Sequence, residues 1–252
     1  MSGNFTLKKT NNNSIKNTFV FIVTLFFSIS ALSNSGKIDI QDESVLNDPP
    51  KITVKGDTLY YDGEITKGSY FLFLKETRGK KIRTFSVNSL GGDMENAMLI
   101  GIYIIKNGLD VELRSVCASA CANYIFVAGN HKYIGKDSYI LWHGGIDSPK
   151  KEFEISGNMR PDDFFRLKEY QQLRKKDHLF YKKIGVKRDI AFCPQLQKNY
   201  HEEFPEKWFS YSPEDMKRFG IKNISFATTP SQWLMSMRKK HVIFAHYCNQ
   251  EK

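Results

Sequence analysis

The sequence predicts an α/β fold, and three observations predict it. Short β-branched and aromatic runs alternate with one well-marked helix, a small-residue segment follows a strand directly, and the order strand, helix, strand, helix, strand implies parallel strands joined by crossovers. Ile52–Val54 and Thr58–Tyr61 flank Gly56-Asp57 and read as a hairpin. Thr84–Val87 is a strand that stops at Asn88-Ser-Leu-Gly-Gly92. From Asp93 the apolar residues take helical spacing (Met94, Ala97, Met98, Gly101, Ile104 or Ile105), and Lys106-Asn-Gly108 ends the helix. A strand over 109–116 runs into Cys117-Ala-Ser-Ala-Cys-Ala122 and a helical stretch to Ala128, with Gly129 as its stop. Tyr133-Ile134 and Ser138–His143 are two further strands around Gly135-Lys136.

After His143-Gly-Gly145 the composition changes. Residues 147–203 are polar and Lys-rich, and Pro161–Ile184 reads as one long, exposed, weakly amphipathic helix. Ser212-Pro-Glu-Asp215 is a helix start, with Ser at the N-cap and Pro at the first position. That helix stops at Gly220, and 221–226 is a last short strand. Residues 227–252 form a tail of ambiguous type. No internal repeat is present.

The chain has 252 residues, 41% hydrophobic and 13% aromatic, which excludes a largely disordered or collagenous chain and allows a real core. It carries 37 Lys and Arg against 27 Asp and Glu, a net charge of +10. Residues 1–33 hold three of the Lys and no acid. They end in the apolar run Thr18–Leu32, a pattern expected of an export signal or, if retained, a membrane anchor. Residues 34–50 are polar and end in two prolines, as a linker does. Without residues 1–33 the balance is 34 against 27, or +7, and 147–203 interleaves 13 basic with 10 acidic residues, a local surplus of only +3. That is the pattern of a solvated helix face, and with no nucleic-acid-binding motif beside it nucleic acid is not an expected partner. The four cysteines, 117, 121, 193 and 248, allow three full pairings in an oxidising compartment, and none has metal-ligand spacing. No cofactor or metal is expected.

Chemistry points to three segments. Paired glycines in Asn88–Asp93 leave N–H groups uncovered at a helix start. Ser119 is the only hydroxyl among five small residues where a strand gives way to a helix, so a carbonyl can approach it and the following N–H can face an oxyanion. His143 ends a strand and could take the proton from Ser119. A plain turn, an N-cap and a structural histidine are the ordinary roles of such residues taken singly.

Taken together, Val87-Asn-Ser-Leu-Gly-Gly92, Val116–Ala122 and Leu141-Trp-His143 resemble the Clp protease proteolytic subunit and its crotonase-like relatives over about residues 51–226, most closely the exported ClpP-like proteins. The spacings agree, with 27 positions from Gly92 to Ser119 and 24 from Ser119 to His143. The resemblance implies a ClpP/crotonase-like spiral of ββα units with 147–203 as a helical insert. It also implies an exported serine hydrolase, a peptidase acting without ATP on peptide or protein substrates, in the periplasm or anchored facing it. Ser119 would be the nucleophile, His143 the base, and the N–H groups of Gly92 and Ala120 the oxyanion hole. Glu206 lies nearest the family's Asp, with Asp215 as competitor, although Asp215 also fits a capping role. Leu90 replaces the family's usual Pro. The insert occupies the place of the subunit-packing helix, so a homo-oligomer through Pro161–Ile184 is expected by position. Cys117 and Cys121, flanking Ser119, read as buried or disulfide-bonded residues; one of them as nucleophile, or their oxidation as a gate, is the sharper alternative. The competing reading is a catalytically inactive binding or scaffold protein of the same fold. A coenzyme-A hydratase or isomerase is disfavoured by export.

Overall fold

The computed structural model describes residues 38, 40–153, 155 and 159–248. The expected export segment lies outside these residues. Among the described residues no helix is long and apolar enough to cross a membrane.

The hairpin forms as the sequence predicts: β1 (Lys51–Lys55) and β2 (Thr58–Asp62) pair antiparallel around Gly56-Asp57. A helix, α1 (Ser69–Thr77), follows in a stretch where the sequence marks no element. Its residues Tyr70 to Leu74 are all apolar, so no period separates the face that buries Phe73 from the side on which Phe71 stays 70% exposed. Next come β3 (Thr84–Ser89) and α2 (Met94–Asn107). The Asp93 side chain accepts the N–H of Asn96 as N-cap, and Gly108, left-handed at φ 61°, closes the last turn. Residues Ala97, Met98, Ile100, Gly101 and Ile104 supply the buried stripe of α2.

Strand β4 (Asp110–Ala118) is the longest, and its two halves have different neighbours. Val111–Leu113 pairs with β5 (Lys132–Ile134), and Val116–Ala118 pairs with β6 (Tyr139–Leu141). The stretch between them is a π-type turn, Cys121–Ile125, and a 3-10 turn, Phe126–Ala128, all buried. These replace the regular helix that the sequence suggests.

A short helix, α3 (Pro161–Arg166), and a long one, α4 (Lys168–Ile184), replace the single helix expected over 161–184. Leu167 is extended at ψ 136°, which turns the chain so that Phe164 buries with its ring 5.1 Å from Tyr170. After α5 (Tyr200–Glu203) come β7 (Ser210–Tyr211), α6 (Pro213–Arg218) and β8 (Ile224–Phe226). The last two elements are α7 (Pro230–Lys239), begun by a Thr229 capping box, and β9 (Phe244–Ala245).

The result is a seven-stranded sheet in the order β1-β2-β3-β4-β5-β8, with β6 beside the second half of β4. Every pair except β1 with β2 is parallel. A small parallel pair, β7 with β9, adjoins it. The described part of the tail, to Cys248, therefore belongs to the folded body. Trp233 is buried and donates from Nε1 to the Ser138 carbonyl at 2.9 Å, and Cys248 is bonded to Cys193.

At the other end of the chain, the Asp42 carboxylate accepts from Asn88 Nδ2 at 2.6 Å, while Asn88 Oδ1 accepts the Val116 N–H at 3.2 Å. One buried side chain thus joins the 3-10 turn Glu43–Leu46, β3 and β4 just before the two glycines.

Candidate active site

Ser119 and His143 meet at the carboxyl ends of β4 and β6. The Ser119 Oγ and His143 Nε2 are 2.7 Å apart, a hydrogen bond. Parallel pairing of Ala118 with Leu141 sets this approach, and the Ser119 N–H continues the ladder to the Leu141 carbonyl at 3.0 Å. The chain then turns sharply. Ser119 takes φ 54°, a left-handed conformation that costs a residue other than glycine about 1–2 kcal/mol. Such strain persists where the surroundings over-determine it.

Three features hold it. The Ser119 carbonyl accepts the Asn123 N–H at 2.9 Å. A Cys117–Cys121 disulfide spans the turn with Cα atoms 5.2 Å apart. Gly91, at φ 97°, packs so closely that a Cβ there would lie 2.5 Å from the Ala118 carbonyl and 2.8 Å from Ser119 Cβ.

Gly92 has a different neighbour. It bridges Ile65, and a Cβ on it would lie 2.3 Å from the Ile65 carbonyl. The two glycines also differ in their N–H groups: that of Gly91 donates to Ser89 Oγ at 3.1 Å, whereas those of Gly92 and Ala120 donate to no turn, loop or side-chain partner among the described residues.

The imidazole is held away from its charged form. Burial first, and the nearby Lys207 ammonium second, push the His143 pKa down to about 4. Ser119 is only 8% exposed, and His143 is partly buried beside it. The Trp208 ring packs on the imidazole with centroids 4.3 Å apart. It is brought there by the antiparallel bridge between Trp142 and Phe209, whose N–H groups and carbonyls pair at 2.8 and 2.9 Å.

Glu206 is a correction to the expected constellation. It is exposed, and it makes no hydrogen bond or ion pair among the described residues. Lys207 follows it at φ 60°, so the turn places a cation near His143 where the alignment expected an acid. Glu206→Gln should accordingly leave the reactivity of Ser119 within about twofold of wild type, as for surface changes that touch nothing; a tenfold loss would restore Glu206 to the site. Asp215 is spoken for. Its N–H donates to Ser212 Oγ at 3.0 Å as the helix start requires, and its carboxylate accepts from Arg218 Nη1 at 3.2 Å.

Sequence reasoning missed two buried amides behind the base. Asn123 Nδ2 donates to the Gly144 carbonyl at 3.0 Å, and Gln195 Nε2 donates to the His143 carbonyl at 2.8 Å. Among the described residues their amide oxygens, Asn123 Oδ1 and Gln195 Oε1, are buried without a hydrogen-bond partner. A buried acceptor left so costs about 1–3 kcal/mol. Asn123 had a faint signal, as the one amide in an otherwise small and apolar stretch from Ala120 to Phe126. Gln195, inside the polar insert, had none.

A second polar cluster lies behind the π-type turn. The Tyr124 hydroxyl donates to Asp177 Oδ1 at 2.7 Å, and burial raises the Asp177 carboxyl to about 6. Donor atoms of Asp147, Asp177 and His178 lie within 4.8 Å of one another. Yet Asp147 already accepts from Arg174, His178 and Arg188, so the group is an ion-pair network rather than an open ligand set.

No family model matches the chain, and no curated protein does. Among solved structures it is similar to a ClpP1 mutant from Listeria monocytogenes, at 18% identity and TM-score 0.42, with 71% of this chain and 95% of that one covered. It is also similar to an enoyl-CoA hydratase from Mycobacterium avium subsp. paratuberculosis K-10, at 8% identity and TM-score 0.29 over 36% of this chain. The chain spans 46% of the hydratase's length, less than half. The structure by itself shows a mixed α/β arrangement around a central sheet, and neither likeness decides the chemistry.

Proposed function

We propose that the protein is an exported serine hydrolase that hydrolyses peptide or ester bonds through Ser119 and His143, without ATP. The observation that carries this is the 2.7 Å hydrogen bond between Ser119 Oγ and His143 Nε2 at a left-handed turn. In this reading His143, neutral at pH 7, accepts the Ser119 proton as Oγ attacks the carbonyl carbon. The N–H groups of Gly92 and Ala120, which donate to no turn, loop or side-chain partner among the described residues, stabilise the oxyanion. His143 then donates its proton to the leaving group, and water repeats the cycle to release the acyl group. Trp208 forms an apolar wall on the imidazole and helps exclude water.

Export is supported by the basic and apolar character of residues 1–33 and by the pairing of all four cysteines, which belongs to an oxidising compartment. A fluorophosphonate probe tests the chemistry. Wild type should be labelled on one serine and Ser119→Ala not at all. A folded wild type that resists the probe, and turns over no peptide or ester from pH 6 to 9, is instead the catalytically inactive binding protein.

A further inference from the structure

Behind the imidazole, two side chains from distant parts of the sequence grip consecutive carbonyls. Asn123 comes from the π-type turn that follows Ser119, and Gln195 from the short 3-10 turn Cys193–Leu196 in the insert. Asn123 donates to the Gly144 carbonyl and Gln195 to that of His143. Through its own N–H, Asn123 also holds the Ser119 carbonyl at 2.9 Å. One residue is therefore bonded to both the turn that carries the hydroxyl and the loop that carries the imidazole. The loop needs such a hold. Gly144, at φ 142°, adopts a backbone that side-chain-bearing residues rarely take, and a Cβ on it would lie 3.2 Å from Gln195 Nε2.

We propose that Asn123 and Gln195 are positioning residues, which fix the His143–Gly144 backbone so that Nε2 stays within hydrogen-bond reach of Ser119, and that the insert is thereby part of the catalytic apparatus. The proposal rests on the reading of Ser119 and His143 as nucleophile and base. Two features favour positioning over packing alone. Both amides are almost fully buried, yet among the described residues each satisfies only its NH2 side, an arrangement that an apolar side chain would avoid. Both carry no charge, so they hold the loop without adding a carboxylate or ammonium beside the base. The Gln195 turn is itself anchored, since Cys193 is bonded to Cys248 and the Tyr211 hydroxyl donates to the Ile190 carbonyl at 2.9 Å.

The test compares wild type with Gln195→Met, Gln195→Glu and Asn123→Ala. Each is assayed well below its melting midpoint, so that folded molecules are compared. With the fluorophosphonate probe, the maximal labelling rate should fall about tenfold or more while the half-saturating concentration stays within about twofold, because orientation is lost and binding is not. Gln195→Met exchanges one unpaired buried acceptor for another, so its melting midpoint should move little while its labelling rate falls. A side chain that only packs would show the reverse.

The His143 ring titration, followed by NMR, is read in parallel. Among the described residues His143 is faced by Ser119, Lys207 and Trp208, of which Lys207 carries a charge, and a loosened loop should let the midpoint rise toward its ordinary value. Folded variants that label at the wild-type rate and titrate as wild type overturn the proposal. If wild type itself is not labelled, the reading of Ser119 fails. The clamp is then decided by the titration alone, and an unmoved His143 midpoint in the variants refutes it.

Discussion

Gly91→Ala should slow the labelling of Ser119 by on the order of a hundredfold in a protein that is destabilised but still folds. Two independent costs act together. At φ 97° an alanine is strained whatever space surrounds it, and its Cβ would meet the Ala118 carbonyl at 2.5 Å and the Ala120 nitrogen at 2.8 Å. Those atoms are backbone, so no rotamer change relieves the clash. Either β3's end must back away or the Ser119 turn must move. Movement of about 1 Å at the nucleophile costs on the order of a hundredfold in rate. The measurement is the labelling rate of the folded variant beside its melting midpoint. A Gly91→Ala protein that labels like wild type would show that Gly91 does not brace Ser119.

The second large effect is in pH. A histidine of ordinary pKa 6.5 is almost all protonated at pH 5, whereas one held down to about 4 is still mostly neutral there, a difference of about thirtyfold in available base. The labelling rate should therefore stay level from pH 7 to 5 and decline only as pH drops through about 4. A midpoint near 6.5 would show that the imidazole is solvated. Stability carries the opposite half of the same shift. Between 6.5 and about 4 the unfolded His143 takes a proton that the folded one declines, so acidification through this window favours unfolding. Asp177 works against it. Its folded carboxyl, raised to about 6 by burial, keeps a proton that the unfolded form releases above 3.8, so acidification from 6 to 3.8 favours the native state. The two windows nearly coincide. Melting midpoints should accordingly change little from pH 6 to 4 in wild type, and Asp177→Asn should expose the loss due to His143.

What the sequence made legible follows from what is local. Asp93 and Gly108 frame α2 because caps act within a few residues, and the hairpin at Gly56-Asp57 forms for the same reason. The approach of Ser119 to His143 was readable at longer range only because both end neighbouring parallel strands, so a strand register carries the spacing into geometry. Where tertiary packing decides, the pattern was silent or misleading. Leu167 interrupts a smooth helical period so that Phe164 can reach its aromatic neighbours. Glu206 matched by position within a turn, yet the turn conformation set by Lys207 at φ 60° leaves it in solvent. Gln195 reaches His143 across 52 positions, which no periodicity encodes.

The cysteine pairs differ in what they can do for the chain before it has folded. Cys193–Cys248 closes a loop over a separation of 55 and, in the chain-entropy account, removes about 4 kcal/mol of freedom from the unfolded state. Cys117–Cys121, with a separation of only 4, removes about 2 kcal/mol. That smaller sum is comparable to the cost of the left-handed Ser119 it encloses. A newly made chain with reduced thiols has to bear that cost through packing alone, and an oxidised one arrives with the bend already drawn. The ring thus makes the state of two thiols a determinant of how firmly the Ser119 turn is held.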